Sequence, residues 1–181
     1  MSEQQNQSPT AAVEAVSDFV SPPMYFPVSV VKLAVMSTCT FGIYELYWFY
    51  KNWCMVRDRE RSDIIPFGRM LFAPLFCYSL LKRMEVTAES QRIRRSVEAG
   101  PLAAGWIIFT ILARLPDPYW LVTFLAVGYL LPVQAAVNEI NLVTSLKHNP
   151  NRSFTAWNIV GVVVGCLFLA LVLIGTFLPS K

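Results

Sequence analysis

The sequence has little charge: Asp, Glu, Lys and Arg make up only 15% of its 181 residues, against about 25% in soluble proteins. It has one histidine, His148, and four cysteines that never fall in a C-x-x-C spacing. This scarcity excludes a His-based catalytic triad, a multi-histidine metal site, and a zinc or disulfide framework. The G-x-S-x-G and phosphate-loop motifs are absent too. We therefore predict no catalytic residue, no metal site and no cofactor, and we expect that the protein is not an enzyme.

Apolar residues take the place of charge. Hydrophobic residues make up 55% of the chain and the mean hydropathy is +0.46, which is more than the surface of a soluble domain tolerates. The net charge of +3 is small and is interrupted by apolar stretches, so nucleic acid is not an expected partner. The composition predicts an all-α, polytopic membrane protein whose main partner is the lipid bilayer.

Residues 1–26 differ from the rest of the chain. They hold three acidic residues, no Lys or Arg, and many Ser, Gln, Pro and Ala. Since a cleavable signal peptide needs positive charge directly before an apolar core, none is predicted here. We expect a flexible polar tail over 1–26 and a single helical membrane domain over 27–181.

Four or five hydrophobic segments fit into the membrane domain, because one helical crossing needs about 20 apolar residues. The two clearest are 119–137 and 159–178, which contain no charge and are predicted to span. The shorter segment 101–113 precedes 119–137 across a proline-rich break and is predicted to form a hairpin of two crossing helices with it. Segments 28–50 and 64–81 carry charges and helix breakers, so we expect one of them to be re-entrant or interfacial.

The basic residues indicate the orientation. If all five segments crossed, Lys and Arg would be shared almost equally between the two sides of the membrane. If one of the first two segments returns without crossing, loops 51–63, 82–99 and 138–156 fall on one side with eleven Lys and Arg, against two on the other. The positive-inside rule favours this second arrangement and predicts that the three basic loops are cytoplasmic.

Aromatic residues crowd the end of the first segment, just before Lys51. Rings followed by cations are typical of a helix at the level of the lipid headgroups. We therefore predict interfacial aromatic anchors at Tyr44, Tyr47, Trp48 and Trp53. The alternative is a cage for a lipid headgroup or another ligand.

The run from Thr40 to Trp48 reads T-F-G-I-Y-E-L-Y-W. It resembles the T-x-G-I-Y-x-x-Y-W signature of a family of small bacterial integral membrane proteins classed as a domain of unknown function. The resemblance is confined to residues 32–53. It implies a location in the bacterial inner (cytoplasmic) membrane, and it implies no activity, cofactor or catalytic residue.

Three ionisable residues fall inside the first two apolar segments: Lys32, Glu45 and Arg69. An ionisable group at membrane depth is costly, and it is a candidate functional site by default. The structural alternative is that Glu45 reaches the interface or pairs with Lys32 or Arg69. In one straight helix Lys32 and Glu45 would lie about 20 Å apart, so their contact requires the chain to reverse at residues 40–42.

Gly161 and Gly165 form a G-x-x-x-G spacing in the last segment. This spacing predicts a helix face on which another backbone approaches closely. The neighbour is either another helix of the same chain, or a membrane-protein partner or second copy of the chain.

Side-chain amides cluster at the end of the fourth segment, where Asn138 and Asn141 lie, and in the loop that follows. Asn and Ser also cap helices, and Ser153 or Thr155 can start the last helix. We therefore favour a capping role for this cluster over ligand binding.

The lack of paired catalytic groups and the G-x-x-x-G face favour a non-enzymatic inner-membrane protein that acts by binding, as a scaffold or accessory subunit of a membrane complex. A small transporter or channel for an ion or small solute is the alternative, because interrupted segments and buried ionisable residues are features of transporters.

Overall fold

A computed structural model describes residues 22–145 and 147–177, and all regular structure in these ranges is helical. The α-helices within them are α1 (Val30–Cys39), α2 (Ile43–Glu60), α3 (Pro66–Leu71), α4 (Ala73–Ser90), α5 (Ala99–Ile111), α6 (Ala126–Thr144) and α7 (Ala156–Phe177). Two 3-10 helices, Leu112–Arg114 and Tyr119–Leu125, lie between α5 and α6. The all-α class predicted from the sequence is confirmed for the part of the chain that the structure describes.

Two helical stretches are long and apolar enough to cross a membrane, Tyr119–Thr144 and Ala156–Phe177. The second of them, α7, has no buried residue, and its side chains Leu167 and Leu171 are 64% and 67% exposed. In water such a surface would be costly, whereas lipid acyl chains are as apolar as these side chains. Both stretches overlap the two segments that were predicted to span.

The first predicted segment is divided between two helices. A turn at residues 40–42 separates α1 from α2, and in it Phe41 has a φ of 53° and the following glycine a φ of 82°. The chain reverses here, since the N–H of Phe26, before α1, donates to the side chain of Asn52 in α2 (3.0 Å). The Phe41 ring packs edge-on against Phe168 (5.3 Å between centroids), which lies in the middle of α7.

The second predicted segment is divided as well. α3 ends at Leu71 and α4 begins at Ala73. Pro66 and Pro74 occupy the first turns of these two helices, where the missing N–H of proline costs no hydrogen bond. α4 then continues well past the apolar stretch, to Ser90.

The three basic stretches 51–63, 82–99 and 138–156 are in large part the ends of helices, and not loops as expected. α2, α4 and α6 continue past their apolar parts, because hydropathy marks the apolar portion of a helix and not its end. Two exposed ion pairs join the three stretches: Arg83 pairs with Glu60, and Arg95 pairs with Glu139. The three basic stretches therefore lie side by side.

Residues 22–28, which we call the N-terminal segment, have no regular structure and run through the packed interior. Tyr25 and Val28 are fully buried and Phe26 is 6% exposed. The packed core therefore includes part of the stretch that the sequence analysis assigned to the tail, because Tyr25 and Phe26 belong to the core and Met24 packs against it. Residues 1–21 of the predicted tail lie outside the described ranges.

Candidate functional site

A stripe of polar side chains follows one face of α6. Gln134, Asn138 and Asn141, with Ser145 just after the helix, are spaced four, three and four residues apart. With 3.6 residues per turn, this spacing places them on the same side of the helix. Gln134, Asn141 and Ser145 are buried. We call these four residues the polar stripe.

Asn141 of the polar stripe pairs twice with the backbone of Tyr25. The N–H of Tyr25 donates to Oδ1 of Asn141 (3.1 Å), and Nδ2 of Asn141 donates to the carbonyl of Tyr25 (2.8 Å). A side-chain amide carries a donor and an acceptor, so one asparagine satisfies both polar backbone groups of a buried residue.

The rest of the polar stripe binds the N-terminal segment on either side of Tyr25. Nδ2 of Asn138 donates to the carbonyl of Val28 (2.9 Å), and the hydroxyl of Ser145 donates to the carbonyl of Pro22 (2.9 Å). One helix face therefore holds this segment over most of its length.

α2 adds two residues to the same network. Asn52 accepts from the N–H of Phe26, while Nε2 of Gln134 donates to the carbonyl of Phe26 (3.3 Å). The indole N–H of Trp48 donates to Oε1 of Gln134 (2.5 Å). Trp48, Asn52 and Gln134 are all fully buried, so this part of the network is closed to solvent.

The network has a physical reason. A buried non-helical segment presents N–H and C=O groups that the segment itself does not pair, and each buried group without a partner costs about 1–3 kcal/mol. The polar stripe supplies the missing partners. The capping role expected for Asn138 and Asn141 is therefore corrected: they bind the chain's own backbone, and the four-three-four spacing on an apolar helix is the signal that would have revealed it.

The structure does not bring the three candidate ionisable residues together. In the described part of the chain no ion pair joins Lys32, Glu45 and Arg69. Lys32 is 2% exposed, and its Nζ donates to Oδ1 of Asn151 and to the carbonyl of Ser153 (2.9 Å each). Lys32 thus ties α1 to the loop before α7.

Arg69 is held by aromatic rings. Its guanidinium lies 4.2 Å from the ring centroid of Trp53 and 5.1 Å from that of Phe76. Stacking of this kind stabilises a structure by about 0.5–2 kcal/mol, more where water is excluded. Arg69 therefore fastens α3 to α2 and α4, and its contacts indicate a structural role.

Glu45 is the one acidic residue among the three candidates. It lies in the first turn of α2, where the helix dipole favours a negative charge, and it is 7% exposed. Its Oε2 accepts a hydrogen bond from the indole N–H of Trp106 in α5 (2.6 Å). Sequence reasoning missed Trp106, because nothing in the spacing of two residues 61 positions apart predicts that their helices meet in this register.

A pocket of about 330 Å³ lies beside Glu45. Its walls come from α1, α2, α5 and the chain around the second 3-10 helix, and they are mostly apolar or aromatic, with Phe41, Trp106, Trp120 and Phe124 among them. Ser37 also lines the pocket. It is 1% exposed and its hydroxyl has no hydrogen-bond partner. An apolar cavity with a few converging polar groups is the usual form of a ligand site.

The predicted interfacial aromatic residues are not equivalent. Trp48 and Trp53 are fully buried and Tyr44 is 8% exposed, while Tyr47 is 44% exposed. The expectation of anchors at the headgroup level is corrected for the buried three, because their side chains pack inside the helical domain. Trp48 donates to Gln134 in α6, and the Trp53 ring packs edge-on against Phe76 in α4. Of the four, Tyr47 alone keeps an exposed side chain, so for Tyr47 the anchor stays a prediction.

The two glycines of the G-x-x-x-G spacing face α1 of the same chain. A Cβ on Gly165 would collide with the carbonyl oxygen of Cys39, and a Cβ on Gly161 would meet Cε of Met36 at 3.9 Å. The absence of a side chain at Gly165 is what lets the two backbones touch. The sequence left open whether this face packs on a helix of the same chain or on another protein. In the structure it packs on α1 of the same chain.

No protein-family model matches the chain, and no curated protein or solved structure matches it significantly.

Proposed function

We propose that this chain is a multi-pass protein of the bacterial inner membrane that acts by binding, as a scaffold or accessory subunit of a membrane complex, and not by catalysis. The observation that carries the proposal is that the side chains of the polar stripe have hydrogen-bond partners within the chain. All four are hydrogen bonded to the chain's own N-terminal segment. They are therefore not free to line an aqueous path through the helices.

The surface of α7 supports the same proposal. Its glycine face is covered by α1, and the opposite side presents a continuous apolar surface that includes Val160, Val164 and Leu171. Since lipid gives no hydrophobic drive for helices to associate, packing of small and apolar side chains decides which helices meet in a membrane. The free side of α7 is the surface on which we expect another membrane protein to pack.

The arrangement of charge supports the proposed orientation. The ion pairs Arg83–Glu60 and Arg95–Glu139 hold the three basic stretches together, so the three lie on the same side of the membrane. The positive-inside rule assigns such a side to the cytoplasm. The reversal at residues 40–42 supports a first segment that enters the membrane and returns to the same side.

Photo-crosslinking in living cells tests the proposal. A photoreactive amino acid at Val164, on the free side of α7, should give a crosslink to one defined membrane protein. The matched control is Leu75 in α4, which is apolar and 76% exposed but lies outside the proposed surface. Crosslinks to lipid alone from both positions, together with a monomeric mass in mild detergent, would contradict the proposal.

A small transporter or channel is the second candidate, and one observation favours it. The interruption between α1 and α2 lies next to a buried carboxylate that borders a cavity, and broken helices around a binding site are typical of transporters. Purified protein in liposomes should then carry a cationic solute, and the flux should stop in Glu45→Gln. Liposomes that show no flux with the wild-type protein would remove this candidate.

A further inference from the structure

We propose that the pocket beside Glu45 binds a small organic ammonium ion, either free in solution or as the headgroup of an amine lipid. The pocket is lined by α1, α2, α5 and the second 3-10 helix and is separate from the free side of α7. The inference therefore goes beyond the scaffold function and does not depend on it.

The pocket contains a buried carboxyl group that lacks a neighbouring cation. In the described part of the chain, Glu45 accepts a hydrogen bond from Trp106 and forms no ion pair with a Lys or Arg. A carboxylate removed from water is costly unless it is paired. A positively charged ligand supplies the missing partner, and the indole N–H holds the carboxylate in place for it.

The walls of the pocket select an organic cation over a metal ion. Phe124 contacts both Phe41 and Trp120, with ring centroids 5.7 and 5.9 Å apart, and the Trp106 ring lines the same pocket. Aromatic faces attract ammonium groups, and such rings form the cages that bind quaternary ammonium ligands. Hard metal ions instead prefer several oxygen ligands with carboxylates among them, and among the residues that line this pocket Glu45 is the one carboxylate.

The turn that builds one wall is strained. Phe41 is not a glycine, yet its φ is 53°, and side chains other than glycine rarely adopt this left-handed conformation. Its ring is fixed between Phe124 and Phe168. Strain that the surrounding structure maintains is common at ligand sites, and here it holds an aromatic ring at the pocket.

A polar group without a hydrogen-bond partner defines the ligand further. The unpartnered hydroxyl of Ser37 lies in the pocket lining, so a hydroxyl or N–H on the ligand has a partner there. The volume of about 330 Å³ is at the lower end of the range of small-molecule sites, about 300–1,000 Å³. A compact ammonium ion with one polar substituent fits both observations.

Choline and its neutral isostere 3,3-dimethyl-1-butanol test the inference. The full-length protein is delipidated in an uncharged maltoside detergent, and each compound is titrated while tryptophan fluorescence is recorded, since Trp106 and Trp120 line the pocket. We expect saturable binding of choline. We expect the isostere, which has the same shape without the charge, to bind at least about tenfold more weakly.

Three variants locate the binding. Glu45→Gln keeps an acceptor for Trp106 and removes the charge, so its Kd for choline should rise at least about tenfold. Ser37→Ala should raise it by about threefold. Glu85→Gln removes a carboxylate that pairs with Lys82 on α4, outside the pocket, and should bind like the wild type. If Glu45→Gln fails to fold, the inference is tested by two other results: the Kd of Ser37→Ala for choline, and the Kd of the wild-type protein for the isostere.

Two further titrations distinguish the sources of the ligand. If phosphatidylethanolamine weakens choline binding and phosphatidylglycerol does not, the site accepts a lipid headgroup. If neither lipid competes, the ligand is a free ammonium ion. The inference is overturned if the wild-type protein shows no saturable choline binding, if the isostere binds equally well, or if Glu45→Gln binds choline as the wild type does.

Discussion

The side chain of Asn141 forms two hydrogen bonds with the backbone of Tyr25, 116 positions earlier in the chain. Through this pair a helix that is long and apolar enough to cross a membrane is joined to a buried, non-helical segment. The other members of the polar stripe each donate to one carbonyl of the same segment: Gln134 to Phe26, Asn138 to Val28 and Ser145 to Pro22. The interior is therefore organised around a segment whose backbone is satisfied by side chains.

The first prediction concerns Asn141. Asn141→Ala leaves one N–H and one C=O of Tyr25 buried without partners, and each such group costs about 1–3 kcal/mol. We expect the free energy of unfolding to fall by about 2–6 kcal/mol in total, measured by reversible denaturation in detergent.

The matched control is Asn149→Ala. Asn149 is exposed and accepts from the N–H of Asn151 within the loop before α7. We expect the free energy of unfolding to change by less than about 0.5 kcal/mol. Equal stability of the Asn141 and Asn149 variants would show that the polar stripe does not hold the N-terminal segment.

The second prediction uses two glycines of the same helix. In Gly165→Ala the new methyl group collides with the carbonyl of Cys39, and overpacking of this kind costs about 1–3 kcal/mol. Gly175→Ala has nothing within 4 Å of its Cβ and should not destabilise the protein. Denaturation of both variants in detergent is the measurement, and a Gly165→Ala protein as stable as Gly175→Ala would contradict the packing of α7 on α1.

The third prediction concerns a pair of free thiols. The Sγ atoms of Cys39 and Cys166 lie 3.4 Å apart, within reach of a bond of about 2.05 Å after a small movement. Copper phenanthroline added to membranes should form a disulfide within one chain, identified by peptide mass spectrometry, and should protect both thiols from maleimide. Cys39→Ser should abolish the product. A Cys166 disulfide between two chains as the main product would contradict the contact.

Hydropathy predicted the parts of the fold that local sequence determines. The interruption at residues 40–42 was visible as a glycine-containing break, and α1 ends and α2 begins on either side of it. The segments 119–137 and 159–178 correspond to the two stretches that are long enough to cross a membrane. In both cases the pattern that made the prediction possible lies within a short stretch of neighbouring residues.

The site was harder to predict, because it depends on contacts between distant residues. The Trp106–Glu45 hydrogen bond and the Trp48–Gln134 hydrogen bond link positions 61 and 86 residues apart. Sequence spacing fixes which face of its own helix a residue occupies, but not which helix covers that face. For this reason Trp48 was expected at the lipid interface although it lies in the core.

The fourth prediction is the orientation. Reporter fusions after Ser62, Val97 and Pro150 should be active on the cytoplasmic side, and a fusion after Asp117 on the opposite side, because the basic stretches lie together and positive charge is retained in the cytoplasm. A periplasmic signal from any of the first three positions would contradict the orientation.

Alkaline carbonate extraction of bacterial membranes tests most directly the claim that lipid surrounds this chain. α7 presents apolar side chains on almost every face, and their burial in lipid is not weakened by high pH. We predict that the full-length protein stays in the membrane pellet in carbonate and is released only by detergent. Recovery of folded protein in the detergent-free supernatant would contradict the account.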